Sequence, residues 1–253
     1  MINNICICVC FYNTNPEYLE DCFFSIDNAI QFFKKSYDYV PVEVHVMDDG
    51  TDRQDTLDMF YNQIMNKYPY IKYWKHNRNT TLATAINDLH IHTPMHALVV
   101  YIDSDDMMMY NRLVVQWEVM TKYDRWKDIT LCASNTVNPN LYNDNEDKIV
   151  NYYWKTFNKL DNFYNKRNFI CHPSICYKID NIKKYKVMYD SNFKCLQDFD
   201  FYCQILLNNL KILLIPDALT YWRQHNDKPD NDRKYQYELI KLRKKYNTKN
   251  LYI

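Results

Sequence analysis

The sequence predicts an α/β fold in which a mostly parallel sheet carries helices on both faces. Three observations lead to this class. Short apolar runs rich in β-branched residues alternate with longer segments whose apolar residues recur every three or four positions. Three of the short runs end in polar side chains that can bind a ligand. The length of 253 residues suits one large domain with an ample core.

The expected strands and helices follow from these short apolar runs and from the segments with an apolar residue every three or four positions. A short run bounded by Pro, Asn or Asp predicts a strand, and an amphipathic stripe predicts a helix. The expected strands span residues 4–11, 41–47, 71–74, 97–102, 129–133, 168–177, 211–215 and 218–222. The expected helices span residues 17–33, 56–65, 82–89, 113–120, 196–207 and 232–245. We expect the polar, aromatic stretch 135–166 to cross the ligand-binding face, because Trp154 and Phe157 need a packing surface.

Composition excludes several classes of function. Lys plus Arg and Asp plus Glu both number 31, so the net charge of +0 gives no bulk attraction to nucleic acid. The single glycine, Gly50, excludes the glycine-rich loops of dinucleotide-binding and P-loop proteins. No apolar stretch approaches the ~20 residues of a membrane helix, and no basic region precedes an apolar one at the N-terminus. We therefore expect a soluble, cytoplasmic protein.

The cysteines include one closely spaced group, Cys6, Cys8 and Cys10, along the first apolar run. Residues two apart in a strand share a face. We therefore expect these thiols to pack as small apolar groups in a reducing compartment. A Cys-x-Cys zinc site is the alternative.

The most informative stretch is the apolar run Ala97–Ile102, which ends in Asp103, Ser104, Asp105 and Asp106. Three carboxylates so close together repel one another, and a divalent cation would offset their charge. Mg²⁺ or Mn²⁺ suits such hard oxygen ligands, and either ion also binds phosphate oxygens. A solvated acidic turn that caps the next helix is the simpler alternative.

Two further predicted strands end in comparable groups. Tyr12-Asn13 follows the first strand, and Asp48-Asp49 follows the second. The carboxyl ends of parallel strands lie along one edge of a sheet, which is where open α/β sheets bind ligands. We therefore expect the three clusters to converge on one crevice.

These clusters belong to an ordered series of motifs that resembles the family 2 glycosyltransferases from Ile5 to His225. The stretch 46–52 resembles the family's Asp-Asp-Gly-Ser-x-Asp element, and 102–106 resembles its Asp-x-Asp motif. The other matches are Phe11-Tyr12-Asn13 with residues 18–26, the stretch 79–87, His172-Pro173-Ser174, Tyr189-Asp190, Gln197-Asp198-Phe199-Asp200 and the closing stretch 215–225. The chain departs from the family at Thr81, where glycine is usual, and at Gln197, where glutamate is usual.

The resemblance implies a GT-A nucleotide-sugar fold and a metal-dependent, inverting glycosyl transfer. The implied partners are a nucleotide-sugar donor, for which we expect a UDP-sugar, and a hydroxyl of a glycan or protein acceptor. Neither nucleic acid nor a membrane span is expected. The single domain 1–253 divides into a nucleotide-sugar half (1–134), an acceptor and catalytic half (135–230) and a C-terminal helix (231–253).

The expected site residues divide by task. Asp198 is the expected general base, which takes the proton of the acceptor hydroxyl. Mn²⁺ or Mg²⁺ is expected to bind Asp103, Asp105 and His225, and the resemblance makes Asp105 the main ligand. Carboxylates can also accept hydrogen bonds from a base N–H or ribose hydroxyls. The residues expected to bind the donor are Phe11, Asn13, Asp48, Asp49, Arg78, Asn87, Asp103, Ser104 and Arg223.

Two alternatives share much of this pattern. A sugar nucleotidyltransferase has the same architecture and metal requirement, but it normally carries a glycine-rich N-terminal phosphate loop. A non-catalytic relative would bind the nucleotide sugar without turnover, and Gln197 and the scarcity of glycine leave that alternative open.

Overall fold

A nine-stranded sheet forms the centre of the part of the chain that the structure describes. The structure is a computed structural model, and it describes residues 2–122, 127–137, 154–160, 170–223 and 231–246. The strands are β1 Asn4–Phe11, β2 Val42–Asp48, β3 Ile71–Lys75, β4 Ala97–Asp103, β5 Met107–Met108, β6 Ile129–Val137, β7 Lys155–Phe157, β8 Ile175–Lys178 and β9 Lys211–Tyr221.

Helices cover both faces of this sheet. They are α1 Pro16–Lys34, α2 Gln54–Met59, α3 Leu82–His92, α4 Arg112–Thr121, α5 Ile179–Lys184, α6 Gln197–Leu207 and α7 Asn231–Tyr246. Helix α2 continues through a π-helical turn at Phe60–Ile64 into a last turn at Met65–Lys67. Within the described residues, no helix combines the length and the apolar character needed to cross a membrane.

The amino-terminal strands form a parallel unit in the order β3-β2-β1-β4. The connections change direction at β1, because β2 lies on one side of it and β4 on the other. Such a change of direction opens a crevice at the carboxyl ends of the strands. Phe11 pairs with Asp48, and Cys10 pairs with Asp103. The three strand ends therefore lie side by side, and their predicted convergence is confirmed.

The rest of the sheet is mixed, whereas we expected a mostly parallel one. Strand β8 pairs antiparallel with both β4 and β6, and β5 and β7 pair antiparallel with β9. The expected strand 168–177 also differs in its described part, since it contains a 3₁₀ turn at His172–Ser174 before β8 begins. Pro173 cannot donate a ladder hydrogen bond, so regular pairing starts after it.

Strand β9 runs as one element through Pro216, where we expected two strands. Its register against β6 is irregular between Ser134 and Thr136. The side-chain amide of Asn135 donates a hydrogen bond to the Pro216 carbonyl at 2.7 Å. An irregularity of this kind is where a sheet can accommodate proline.

Side-chain alternation along β1 divides the core into two layers. Ile7 and Val9 pack in the layer that contains α1 and α4, and Cys6, Cys8 and Cys10 pack in the layer that contains α3 and α6. All three thiols are buried. Burial raises the pKa of the Cys6 and Cys10 thiols well above the ordinary value, so both stay protonated. The thiols thus pack as the small apolar groups that we expected.

The buried side chain of Arg112 ties several elements of the sheet together. It opens α4, and all five of its N–H groups lie within reach of acceptors. The acceptors are the carbonyls of Tyr101, Pro173 and Ile175, Thr220 Oγ1 and Gln116 Oε1, at 2.7–3.1 Å. Burial lowers the pKa of Arg112 to about 10, so the side chain remains charged at neutral pH. Arg112 therefore joins β4 to the 3₁₀ turn and to β9.

We predict that Arg112→Met and Arg112→Lys each lower the free energy of unfolding by about 3 kcal/mol or more, because each leaves buried acceptors unsatisfied. Lys cannot replace the planar fork of donors. Urea unfolding measures the effect. Arg53→Met, at an exposed ion pair with Asp55, is the control and should leave the midpoint unchanged. Wild-type midpoints for both Arg112 variants would contradict the assignment.

Candidate active site

Three carboxylates, Asp103, Asp105 and Asp198, define the candidate site, and we call them the carboxylate cluster. The pKa of Asp103 is raised to about 7 by desolvation first and then by the negative charges of Asp105 and Asp198, against a hydrogen bond from Tyr101 that lowers it. A charge at Asp198 acts on Asp103 in this way when the two carboxylates lie near each other. The start of α6 therefore lies near the end of β4, and we call the space beside these carboxylates the cleft.

A fourth carboxylate, Asp106, lies beneath the cluster. Desolvation and then the charges of Asp103 and Asp105 raise its pKa to about 9. The backbone N–H of Arg223 donates a hydrogen bond to Asp106 Oδ1 at 2.8 Å. This bond joins the end of β9 to the turn after β4.

The Arg223 side chain lies at the rim of the same cleft. Its Nη2 is 2.9 Å from Asp21 Oδ2, and its guanidinium lies 3.9 Å from the centre of the Tyr18 ring. Its Nε is buried and has no hydrogen-bond partner among the described residues. Asp21 and Tyr18 therefore hold the guanidinium in place and leave the buried Nε–H without a partner among the described residues.

The carboxylate cluster has the donor chemistry of a divalent-cation site. Tyr101 OH donates to Asp103 Oδ1 at 2.6 Å, which orients this carboxylate. The raised pKa values of Asp103 and Asp106 reflect negative charge that desolvation and neighbouring carboxylates disfavour, and a hard cation would relieve it. In the described ranges, no three His, Cys, Asp or Glu side chains are grouped to hold a metal. The expected third ligand, His225, lies outside those ranges.

Asp48 is fully enclosed at the end of β2. The Thr51 N–H donates to its Oδ1 at 2.6 Å, and the Tyr73 hydroxyl and Lys75 Nζ lie 3.0 Å from its Oδ2. The protein thus supplies three donors to this carboxylate. Asp48 holds the turn after β2 against β3.

Asp49 is buried next to it and binds the loop that follows β3. Its Oδ1 accepts hydrogen bonds from His76 Nδ1, at 2.7 Å, and from the backbone and hydroxyl of Thr80. Its Oδ2 accepts one bond, from Asn79 Nδ2 at 3.0 Å. Because a carboxylate oxygen has two lone pairs, Oδ2 keeps room for one further donor.

Gly50 explains how these two aspartates can lie so close to the next loop. Its φ is +79°, and a Cβ there would lie 2.2 Å from the Arg78 carbonyl carbon. A residue with a side chain would meet that backbone, so glycine is required here. The Arg78 side chain itself is exposed.

Asn13 and Ser104 are two further residues that we expected to bind the donor. Asn13 has a φ of 51° and its amide bonds the backbone of Asp52 and Arg53. Ser104 is buried, with its hydroxyl 2.7 Å from that of Thr14. Both line the edge where β1 and β4 end.

Two of the side chains that we expected to bind the donor instead make contacts within the protein. The Phe11 ring is in the core, 4.9 Å from the Phe60 ring, so it does not face the crevice. Both functional groups of the Asn87 amide bond the backbone of Tyr189, at 2.8 and 3.0 Å. The neighbouring Tyr12 is exposed at the strand end instead. Successive side chains of a strand point to opposite faces. This alternation would have indicated that Phe11 and Tyr12 face different sides, with one in the core and the other exposed.

Buried aromatic side chains form the wall of the cleft. The centre of the His172 ring lies 4.2 Å from that of Tyr101 in a tilted arrangement, and its Nε2 lies 2.9 Å from the Tyr189 hydroxyl. Desolvation lowers the pKa of His172 to about 3, so it is neutral. The His-Pro-Ser motif therefore acts through packing against Tyr101, which in turn orients Asp103.

Asp198 lies in the first turn of α6 and is 9% exposed. Its Oδ1 accepts the N–H of Phe199 at 2.7 Å. Asp200, two residues further in the same turn, is buried against Lys245 and Tyr246 of α7, at 2.8 and 2.6 Å. The two aspartates of the motif therefore have separate surroundings, one facing the cleft and one facing the C-terminal helix.

His76 is a residue that the sequence reasoning missed. Its Nδ1 lies 2.7 Å from Asp49 Oδ1, and its Nε2 lies 2.9 Å from Asp88 Oδ2 of α3. Desolvation alone would lower the pKa of His76, but the bonds and charges of Asp49 and Asp88 raise it overall. The imidazole thus joins β2, the loop after β3 and α3.

We predict that His76 makes stability depend on pH. Because its folded pKa is raised, its stabilisation is complete below the unfolded value of about 6.5 and is lost as pH rises through the folded value. The midpoint of thermal unfolding should therefore fall less between pH 6 and 8 in His76→Gln than in the wild type. His92→Gln, at an exposed position, is the control. Equal slopes for wild type and His76→Gln would contradict the prediction.

A parallel β3-β2-β1-β4 unit with carboxylates at its carboxyl edge defines an α/β protein with a ligand crevice where the strand order reverses. The model of the family described as "Glycosyl transferase family 2" matches residues 6–185, which is more than half of the chain. This chain belongs to glycosyl transferase family 2. No curated protein sequence matches it.

Solved structures with the GT-A glycosyltransferase fold resemble the chain throughout. S. aureus TarS 1–349 in complex with UDP-GlcNAc has a TM-score of 0.67 at 18% identity, and the match covers 94% of this chain and 65% of that one. GalNAc-T7 with UDP, GalNAc and Mn²⁺ has a TM-score of 0.66 at 10% identity, over 96% and 48% of the two chains.

A third similar structure is the mannosyltransferase PcManGT from Pyrobaculum calidifontis with GDP-Man and Mn²⁺. Its TM-score is 0.62 at 14% identity, over 100% of this chain and 66% of that one. The match to S. aureus TarS 1–349 covers 64% of that chain, so the present chain spans just under two thirds of its length. These likenesses establish the GT-A fold that we expected from the sequence.

Proposed function

We propose that the protein transfers a sugar from a nucleotide diphosphate donor, a UDP-sugar, to a hydroxyl group of a glycan or protein acceptor. The observation that carries the proposal is the convergence of the ends of β1, β2 and β4 at one edge of the sheet, where Asp103 lies and where the charge of Asp198 raises the pKa of Asp103. The similar structures are complexes with UDP-GlcNAc, with UDP, GalNAc and Mn²⁺, and with GDP-Man and Mn²⁺. These ligands support a nucleotide-sugar donor and a divalent cation here.

The donor half of the cleft would bind the nucleoside and the diphosphate. Asp49 Oδ2 has room for a donor from the base or ribose, and the exposed Tyr12 ring lies at the adjacent strand end. The unused Nε donor of Arg223 suits a phosphate oxygen. Asp103 and Asp105 would hold Mn²⁺ or Mg²⁺, with His225 as a proposed third ligand. The cation, when bound, would compensate the charge that develops on the departing diphosphate.

Asp198 would act as the general base for the acceptor hydroxyl. It lies in the first turn of α6, and its charge raises the pKa of Asp103 at the end of β4, where Asp103 and Asp105 would hold the leaving group. We propose that it lies on the side opposite that group. A base on the side opposite the leaving group favours attack from that side, and attack from that side inverts the anomeric carbon. We therefore propose an inverting transfer, with the proton of the acceptor hydroxyl moving to a carboxylate oxygen of Asp198.

Release of UDP or GDP from a panel of nucleotide sugars, with Mn²⁺ and with EDTA, tests the proposal. We expect release with at least one UDP-sugar, stimulated by Mn²⁺. Binding without release would instead identify a non-catalytic relative. Liberation of pyrophosphate from UTP and a sugar phosphate would identify a nucleotidyltransferase.

A further inference from the structure

The C-terminal helix α7 lies outside the stretch 6–185 that the family model matches, yet it contacts the segment that leads into α6. That segment, residues 190–196, ends one residue before Gln197-Asp198. Its conformation therefore determines where Asp198 enters the cleft. We call residues 190–196 the entry segment.

Glu238 of α7 binds three consecutive backbone N–H groups of the entry segment. Its Oε1 accepts from Lys194 at 2.8 Å, and its Oε2 accepts from Cys195 at 2.8 Å and from Leu196 at 3.1 Å. The side chain is buried, with 4% of its surface exposed. Three successive N–H groups that point at one carboxylate form an anion-binding nest. Bonds of this kind are stronger than those between neutral groups.

Two lysines on the same face of α7 hold the rest of the entry segment. Lys241 Nζ donates to the Asn192 carbonyl at 3.1 Å, and Lys245 Nζ lies 2.9 Å from Asp190 Oδ2. Both ammonium groups also lie over the ring of the buried Phe193, at 5.2 and 5.4 Å. Positions 238, 241 and 245 recur every three or four residues, so they share one face of the helix.

The other end of the entry segment is held from the donor half. The amide of Asn87 on α3 bonds both backbone groups of Tyr189, the residue just before the segment. The entry segment is thus held between α3 and α7. Asp198 follows it after Gln197, with its Oδ1 accepting the N–H of Phe199.

We propose that α7, chiefly through Glu238, is a positioning element for the general base. This inference rests on the proposed function of Asp198. Glu238 touches neither substrate nor cation in this account; it sets the conformation from which Asp198 meets the acceptor hydroxyl. Small displacements of a reacting group can cost about 100-fold in rate.

The variant Glu238→Gln tests the proposal. A Gln side chain keeps the volume but replaces one accepting oxygen by an N–H donor and removes the charge, so the nest loses the anion and one of its two acceptors. We expect kcat to fall about 10- to 100-fold, while the KM for the donor and the Kd for UDP stay within about twofold of the wild type. Glu238→Asp should restore part of kcat. Gln236→Ala, at an exposed position on the same helix, is the matched control.

Hydrogen exchange gives a second readout that does not depend on turnover. In Glu238→Gln, the amides of residues 194–198 should exchange faster, while those of β4 should be unchanged. An unchanged kcat, or a loss of donor affinity in proportion to kcat, would overturn the positioning role. A wild-type protein that turns over no donor would refute the proposed function. Unchanged exchange in the entry segment would refute the role of Glu238 itself.

Discussion

Asp198→Asn is expected to abolish sugar transfer, with a loss of roughly 100- to 10,000-fold in kcat. Asn is the same size as Asp but cannot accept a proton. The amide oxygen can still accept the N–H of Phe199, which Asp198 Oδ1 accepts at 2.7 Å in the wild type. The start of α6 should therefore keep its conformation, and the loss should be chemical.

Donor binding separates this explanation from a general loss of structure. The Kd for UDP with Mn²⁺, measured by calorimetry, should stay within about twofold of the wild type, because the donor residues lie at the ends of β1, β2 and β4. The control is Asp217→Asn, at an exposed position on β9. Its turnover should equal that of the wild type. Turnover by Asp198→Asn close to the wild-type rate would refute the role of this carboxylate.

Asp105→Asn is expected to remove the dependence of donor binding on the cation, and to lower transfer by more than about 100-fold. Charge compensation by a divalent ion contributes several kcal/mol to the transition state, and 1.36 kcal/mol corresponds to about tenfold in rate. In the wild type, EDTA should weaken UDP binding. In the variant, UDP should bind equally weakly with Mn²⁺ and with EDTA.

The matched control for Asp105 is Asp58→Asn, because Asp58 is an exposed aspartate on α2 that contacts Gln54. It should keep both the Mn²⁺ effect and the wild-type turnover. A Mn²⁺ effect that persists in Asp105→Asn would show that the cation, if it binds, is held elsewhere. Equal unfolding temperatures of the two variants would exclude a difference in folding.

The fold class was predictable because its signals are local. The apolar run 4–11 was predicted as the first strand, and β1 spans Asn4–Phe11. The stripe 82–89 was predicted as a helix, and α3 spans Leu82–His92. The antiparallel position of β8 was not predictable, because strand direction depends on tertiary pairing and the chain between β6 and β8 gives no periodic signal.

Parts of the site were predictable for the same reason. Asp48-Asp49 and Asp103-Ser104-Asp105 each follow an apolar run, and parallel pairing then brings the ends of those runs together. What each carboxylate does was harder to infer. Asp48 is bound by the backbone N–H of Thr51 and by the side chains of Tyr73 and Lys75. Both of these side chains come from β3, and no spacing in the sequence indicates that they reach Asp48.

The supporting residues left no signal in the sequence. His76 and Glu238 stand alone in polar stretches, and each is distinguished only by what it contacts. His76 reaches Asp49 and Asp88, and Glu238 reaches the backbone of residues 194–196. The recurrence of Glu238, Lys241 and Lys245 on one helical face indicates a shared surface, but it does not indicate the partner.

The central claim is that one cleft at the carboxyl edge of the sheet binds both the diphosphate and the cation. A crystal structure of the protein with UDP and Mn²⁺ tests it most directly. We predict a cation bound by the carboxylates of Asp103 and Asp105 and by the diphosphate, the base beside Asp49, and Asp198 facing them across the cleft. UDP bound at another surface, or a cation held without Asp103 and Asp105, would contradict the account.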